Sequence, residues 1–157
     1  MGKRLIYPGE IYHVYNRGNQ KMILFSKPFH YKQFMSKIDQ YSKRFPVEIL
    51  AYCIMPNHFH FLLREPSHEI VNWANISHFL HLLQTSYAKF FGKINPRYSG
   101  HVFQGTFKIK HVYDDSYFNT LKYYILHNPV RDGFVNSPGD WPYCGTTLRV
   151  DPKGRVS

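Results

Sequence analysis

The stretch Val47-Glu-Ile-Leu-Ala-Tyr-Cys-Ile-Met-Pro-Asn-His-Phe-His-Phe-Leu-Leu-Arg64 decides how this chain folds. Val47 to Ile54 has the content of a strand, and Met55-Pro56-Asn57 supplies turn chemistry before a second apolar run. Two strands so close in sequence predict an antiparallel hairpin. Side chains alternate along a strand, so His58, His60, Leu62 and Arg64 share one face, and Phe59, Phe61 and Leu63 share the other. Two imidazoles on one face, with bulky residues anchoring the opposite one, make half of a divalent-metal site. The same spacing also suits one satisfied sheet histidine beside a surface one, and by itself it leaves both readings open.

Upstream, Glu10 to Arg17 alternates as a strand, with Ile11, His13 and Tyr15 on one side and Tyr12 and Val14 on the other. Gly18-Asn19 ends it, and a short apolar return follows at Met22 to Phe25. Ser26 and Pro28 read as the opening of a helix whose apolar period runs through Phe29, Phe34, Ile38 and Tyr41 to about Arg44, where Pro46 stops it. Downstream, Pro66 and Ser67 open a second helical region, with Glu69 and Ile70 in its first turn. It runs, with allowance for a break near Asn75, to about Phe91, on a stripe of Ile76, Phe79, Leu80, Leu83, Tyr87 and Phe90. A basic loop with Lys93, Arg97 and Tyr98 leads to a strand expected over His101 to Val112. That strand sets Gln104, Thr106, Lys108 and Lys110 against Phe103, Phe107 and Ile109. Asp114 or Asp115 caps a last helix from Ser116 to about His127, which Asn128-Pro129 ends. The order βαββαβα predicts an α+β fold, an antiparallel sheet with packed helices. Residues 1–157 read as one domain with its core at about 10–135 and a loop-rich tail, 136–157, that Trp141 and Tyr143 pin to the body.

Composition narrows the partners. Twenty Lys and Arg against ten Asp and Glu give a formal net charge of +10 on 157 residues. That surplus calls for a polyanion, nucleic acid or an anionic membrane. No apolar run reaches the roughly 18–20 residues of a membrane span, and the opening Met-Gly-Lys-Arg-Leu-Ile-Tyr turns polar too soon for a signal peptide. Cys53 and Cys144 have no metal or disulfide-framework spacing, which fits a reducing cytoplasm. Thirteen Tyr and thirteen Phe beside the basic residues suit single-strand binding by base stacking, with the phenylalanines expected mostly in the core and the tyrosines nearer the surface. Lys108 and Lys110 on a sheet face are read equally as phosphate contacts or as a solvated face.

In the last helix, residues four apart lie about 40° around the axis and roughly 6 Å along it. Tyr124 therefore shares a face with Asn128, Tyr123 pairs with His127, and Tyr117 lies about two turns above Tyr124 on nearly its face.

Four motifs now stand in order: Tyr12-His-Val-Tyr-Asn-Arg-Gly18, Met55-Pro-Asn-His-Phe-His-Phe-Leu-Leu63, Gly100-His-Val-Phe-Gln-Gly-Thr-Phe-Lys108 and Tyr124-Ile-Leu-His-Asn-Pro-Val-Arg-Asp-Gly133. Together they resemble the REP-associated tyrosine transposases, relatives of the insertion-sequence transposases among the single-tyrosine HUH endonucleases (histidine, bulky hydrophobe, histidine). The resemblance spans roughly residues 10 to 145 and implies the ferredoxin-like fold of that family. It also implies that His58, His60 and Asn128 bind a divalent cation, magnesium or manganese. Tyr124 would then attack single-stranded DNA at a hairpin-bearing site, leaving a 5′-phosphotyrosine and a free 3′-hydroxyl. The choice of Tyr124 over Tyr123 and Tyr117 rests on its i+4 amide. The REP-associated branch further implies a monomer with an own-chain site rather than a homodimer with exchanged helices, working in the cytoplasm on the nucleoid. Departures from the family pattern are Tyr123 beside the nucleophile, Asp132 in place of a small residue, and a Trp141-Pro-Tyr-Cys-Gly segment without paired serines.

The chemistry is coherent. A phenol with a pKa of ~10 is a poor nucleophile at neutral pH, so it must be aimed and the phosphate polarised. Arg17, Lys93, Arg97, Lys108, Lys110 and Arg131 are the candidate phosphate contacts. His13 is read as structural, and His78 with His81 lack a third ligand. The competing readings are a non-cleaving hairpin-binding module of the same fold and a small-phosphoester hydrolase. The hydrolase would need more carboxylates near the histidines than the chain has.

Overall fold

The computed structural model describes residues 5–67 and 74–148. Among these the elements run β1 (Ile11–Arg17), α1 (Pro28–Arg44), β2 (Glu48–Met55), β3 (His58–Arg64), α2 (Asn75–Ile94), β4 (Lys108–Val112), α3 (Asp115–Leu126), α4 (Asn128–Arg131) and β5 (Cys144–Gly145). The expected hairpin forms, with β2 antiparallel to β3 across Pro56-Asn57. The sheet has the order β4-β1-β3-β2-β5 and every neighbour is antiparallel. Its first four strands have the split β-α-β arrangement of a ferredoxin-like fold, the α+β class expected.

Alternation sorts the two faces. Tyr12, Val14, Phe59, Phe61 and Leu63 turn to one side and pack in the main core with Phe34, Ile38, Phe79, Leu83 and Tyr87 of α1 and α2. α3 covers part of the other face, where Leu121 and Ile125 meet Ala51, Cys53, Met55 and Leu62. The rest of that face is the histidine side.

Gly18 ends β1 by close approach. A Cβ there would stand 2.2 Å from the Met22 carbonyl oxygen, so only glycine lets the chain fold back. Gln20 and Lys21 then carry positive φ of 53° and 62°, a strained conformation for side-chain-bearing residues. Leu24 and Phe25 are buried plugs rather than a strand. Their N–H groups donate to Pro56 O at 2.8 and 3.0 Å, which ties this segment to the turn before β3.

Several boundaries differ from expectation, among them the end of α2, which runs past Phe91 to Ile94 and takes in Lys93, expected in the loop. The fourth strand begins only at Lys108, because Phe103 and Phe107 are both drawn into the core and Gly105, at φ 68°, loops out the residues between them. Lys27, not Ser26, holds the position before α1, whose first residue is Pro28. Pro66 and Ser67 are not helical, and the first turn expected at Glu69 and Ile70 lies outside the described residues.

α2 instead has its start capped from the sheet. The buried Glu65, just past β3, accepts from the N–H groups of Asn75 (2.6 Å) and Ile76 (3.0 Å). Glu65→Ala would orphan both donors and is expected to lower the unfolding free energy by about 2–3 kcal/mol, read as a lower urea midpoint at unchanged slope.

In the tail, the Trp141 indole donates to Ile54 O at 2.9 Å, and Tyr143 stacks on Tyr31 at 4.0 Å. Cys144 and Gly145 add a short edge strand to β2. No described helix is long and apolar enough to cross a membrane.

Candidate active site

Strand register assembles the site in rows across β3, β1 and β4. His60 pairs with Tyr15, and Tyr15 with Lys108; Leu62 pairs with His13, and His13 with Lys110. His58 pairs with Arg17 at the strand end. The His58 and His60 rings stand 5.2 Å apart at 85°. His58 donates its Nδ1–H to Asn57 Oδ1 at 2.8 Å, and its Nε2 accepts from the Asn128 amide at 3.3 Å. His60 Nδ1 lies 3.0 Å from Nε2 of the buried His13.

The last turn of α3, with Tyr124, and the first residue of α4, Asn128, supply the other half; the single helix expected through this stretch is interrupted at His127. Asn128, 5% exposed, reaches His58, and the Tyr124 ring meets His60 edge-on at 6.4 Å. The i,i+4 pair thus lands on the two histidines, one arm to each, within a single chain. Tyr123 is 63% exposed and stacks on His127 at 3.7 Å. Arg131 lies over the Tyr124 ring, its guanidinium carbon 3.7 Å from the centroid.

Beside the histidines a cavity of about 600 Å³ opens, walled by Tyr15, Arg17, Lys21, Asn57, Gln104, Lys108 and Asp132. Of the candidate phosphate contacts, Arg17 and Lys108 line it, Lys110 sits over the Tyr15 ring on the same face, and Arg131 holds Tyr124. Lys93 and Arg97 do not join them. They stand at the end of α2 and in the turn beyond, where Arg97 borders a separate shallow cleft with Asn95, Pro96 and Tyr98.

Sequence reasoning passed over Lys21, Asn57, Gln104 and the His13 contact. For His13 a signal existed, since it shares a strand face with Tyr15. Gln104 is held by local packing: Arg17 Nε donates to its side chain, and buried Asn16 donates to Gly105 O at 3.1 Å and to Gln84 at 2.8 Å.

Burial keeps the imidazoles neutral. It pushes His60 down to about 3, helped by the neighbouring His13, His58 and Arg131. Burial and then Lys110 push His13 down to about 4. His58 is also lowered by burial, against an opposing pull from Asp132 and Asn128. Neutral imidazoles offer lone pairs to a cation. Among the described residues no three His, Cys, Asp or Glu are grouped to hold a metal. The donors here are two imidazoles and a carboxamide. A half-turn of the Asn128 amide would exchange its NH₂ for Oδ1 toward His58, so the set fits a cation.

Comparison with known proteins places the chain. The sequence profile of the family described as "Transposase IS200 like" matches residues 8–128, from the turn before β1 through Asn128. A Haemophilus influenzae (strain Rd KW20) protein named "Putative REP-associated tyrosine transposase" is 29% identical over 133 residues, 79% of this chain and 72% of that protein. A solved structure described as a REP-associated tyrosine transposase bound to a REP hairpin has a TM-score of 0.71 at 19% identity, covering 92% of this chain and 80% of its own. A crystal structure of a "putative transposase" from Deinococcus radiodurans R1 has a TM-score of 0.51 at 16% identity, covering 79% of this chain and 94% of its own. The structural likenesses establish the fold, and the profile, running over well more than half of the sequence, establishes kinship: the chain belongs to the IS200-like transposase family.

Proposed function

We propose that the protein cleaves and rejoins single-stranded DNA next to a hairpin, with Tyr124 as nucleophile and a 5′-phosphotyrosine as intermediate. The observation that carries this reading is the landing of Tyr124 and Asn128, four residues apart across the α3–α4 junction, on His60 and His58 of the same chain. His58, His60 and Asn128 would hold magnesium or manganese, which supplies Lewis acidity toward a non-bridging phosphate oxygen.

The chain's own residues do the rest. Tyr124 Oη attacks phosphorus and loses its proton, and the 3′-oxygen of the upstream nucleotide leaves and takes one up. The ester bond to tyrosine replaces the broken phosphodiester, so a 3′-hydroxyl can later attack it and free the phenol. Stacking by Arg131 limits the motion of the ring and sets a positive charge beside the reacting phosphate. Arg17, Lys21, Lys108 and Lys110 give the cavity and the adjoining sheet a positive lining for the DNA backbone. Lys93 and Arg97 would engage only DNA extending beyond that cavity. The proposed residues meet within one chain, which supports action as a monomer, and a DNA partner would set the workplace as the cytoplasmic nucleoid.

The direct test is incubation with a pool of hairpin-tailed single-stranded oligonucleotides and Mn²⁺, followed by denaturing electrophoresis and sequencing of the trapped DNA. A covalent adduct at one position beside a hairpin is expected. Salt-sensitive hairpin binding with no adduct under any divalent cation would overturn cleavage and leave the binding module.

A further inference from the structure

His13 is absorbed by none of the roles above. It lies on β1, 7% exposed, with its ring stacked on Tyr15 at 4.7 Å and beside His60 at 5.2 Å and 18°. Its Nε2 meets His60 Nδ1 at 3.0 Å. Two neutral imidazoles share such a bond through a single proton, so one ring donates and the other accepts. If His13 donates, the proton of His60 sits on Nε2, the nitrogen on the opposite edge of the ring. If His60 donates, Nε2 keeps its lone pair. His58 already has the second arrangement: its Nδ1–H is bound to Asn57, and its Nε2 accepts from Asn128.

We infer that His13 is a positioning residue that accepts the Nδ1–H of His60, holding the Nε2 lone pair of His60 free, as Asn57 does for His58. Histidine ligands commonly donate their second nitrogen to a carboxylate or carbonyl. Here the acceptor is a neutral ring, which fixes the tautomer without adding negative charge near a cation that must polarise phosphate. The packing suits this task. Tyr15, the cross-strand partner of His60, also stacks on His13 and sits under Lys110, so the acceptor ring is braced. The purpose of the contact rests on the proposed cation site, but its geometry does not.

The test uses the metal-free full chain with ¹⁵N-labelled histidine. Long-range ¹H–¹⁵N correlation is expected to show His60 with a pyrrole-type Nδ1 and a pyridine-type Nε2. His13→Phe keeps a ring against Tyr15 but has no acceptor. It is expected to shift His60 toward the Nε2–H form and to weaken Mn²⁺ binding by about 10–100-fold. His13→Gln offers an amide oxygen at similar reach and is expected to restore the tautomer and bring Mn²⁺ affinity back to within about threefold of the parent. Thermal unfolding of each variant checks that it is folded. An Nε2–H tautomer in the parent overturns the inference, as does a His13→Phe protein with parental tautomer and affinity, or equal losses in the Phe and Gln variants. If the parent binds no Mn²⁺, the cation site fails, while the metal-free tautomer still decides the role of His13.

Discussion

Tyr124→Phe is expected to form no covalent adduct with hairpin-tailed single-stranded DNA while binding the same hairpin with unchanged affinity. The substitution removes one oxygen and little else. The ring lies between the Arg131 guanidinium at 3.7 Å and the edge of His60 at 6.4 Å, and phenylalanine keeps both contacts. At 48% exposure the side chain carries no core packing, so stability should shift by less than about 0.5 kcal/mol. What is lost is the atom that bonds to phosphorus, and adduct yield should fall by at least about 10³-fold. Labelled oligonucleotide on a denaturing gel reads the adduct, and fluorescence anisotropy reads binding. Tyr123→Phe is the control. That residue is 63% exposed and stacked on His127, and its variant should form adduct at the parental level. Full adduct in Tyr124→Phe would remove the assignment, and loss in Tyr123→Phe alone would move it by one residue.

The parts of this site that could be read from sequence are those that depend on short periods. His58 and His60 fall on one face because a strand repeats every two residues, and the i,i+4 spacing marks Tyr124 and Asn128 as a pair, although α3 ends at Leu126 and Asn128 opens α4. The apolar stripes of α1 and α2 are legible for the same reason. The meeting of His13 with His60 is different. It spans 47 residues and requires β1 to pair with β3 in one register, which no local pattern encodes. Gln104 and Lys21 belong to irregular segments shaped by Gly105 and Gly18, where alternation stops. Alternation carried too far upstream makes the expected fourth strand, His101 to Val112, longer than the Lys108–Val112 that forms. Charge is legible as a sum but not as a map: Lys108 and Lys93 look alike in sequence, yet one lines the cavity and the other ends a helix.

Acidification from pH 7 to pH 5 in metal-free buffer is expected to cost about 4 kcal/mol of stability through His13 and His60 alone. The sign follows from their environment. Burial drives both below the ordinary histidine value, His13 to about 4 and His60 to about 3. As pH falls below about 6.5, these side chains gain protons in the unfolded chain and not in the folded one. Their stabilising contribution is therefore full above that value and is lost progressively toward the folded values, at about 1.4 kcal/mol per pH unit for each group. His58, lowered by burial as well, acts in the same direction. Against a typical domain stability of about 5–15 kcal/mol the loss is large. Urea titrations at pH 7, 6 and 5 with EDTA measure it, and His13→Phe should flatten the slope by about one proton. A flat profile in the parent would mean that the buried imidazoles take up protons in the folded state. The lone pairs on which a cation depends would then be filled in mild acid. A steep one means that folding itself holds both rings deprotonated, so packing of the sheet face and readiness to bind a cation have the same physical source.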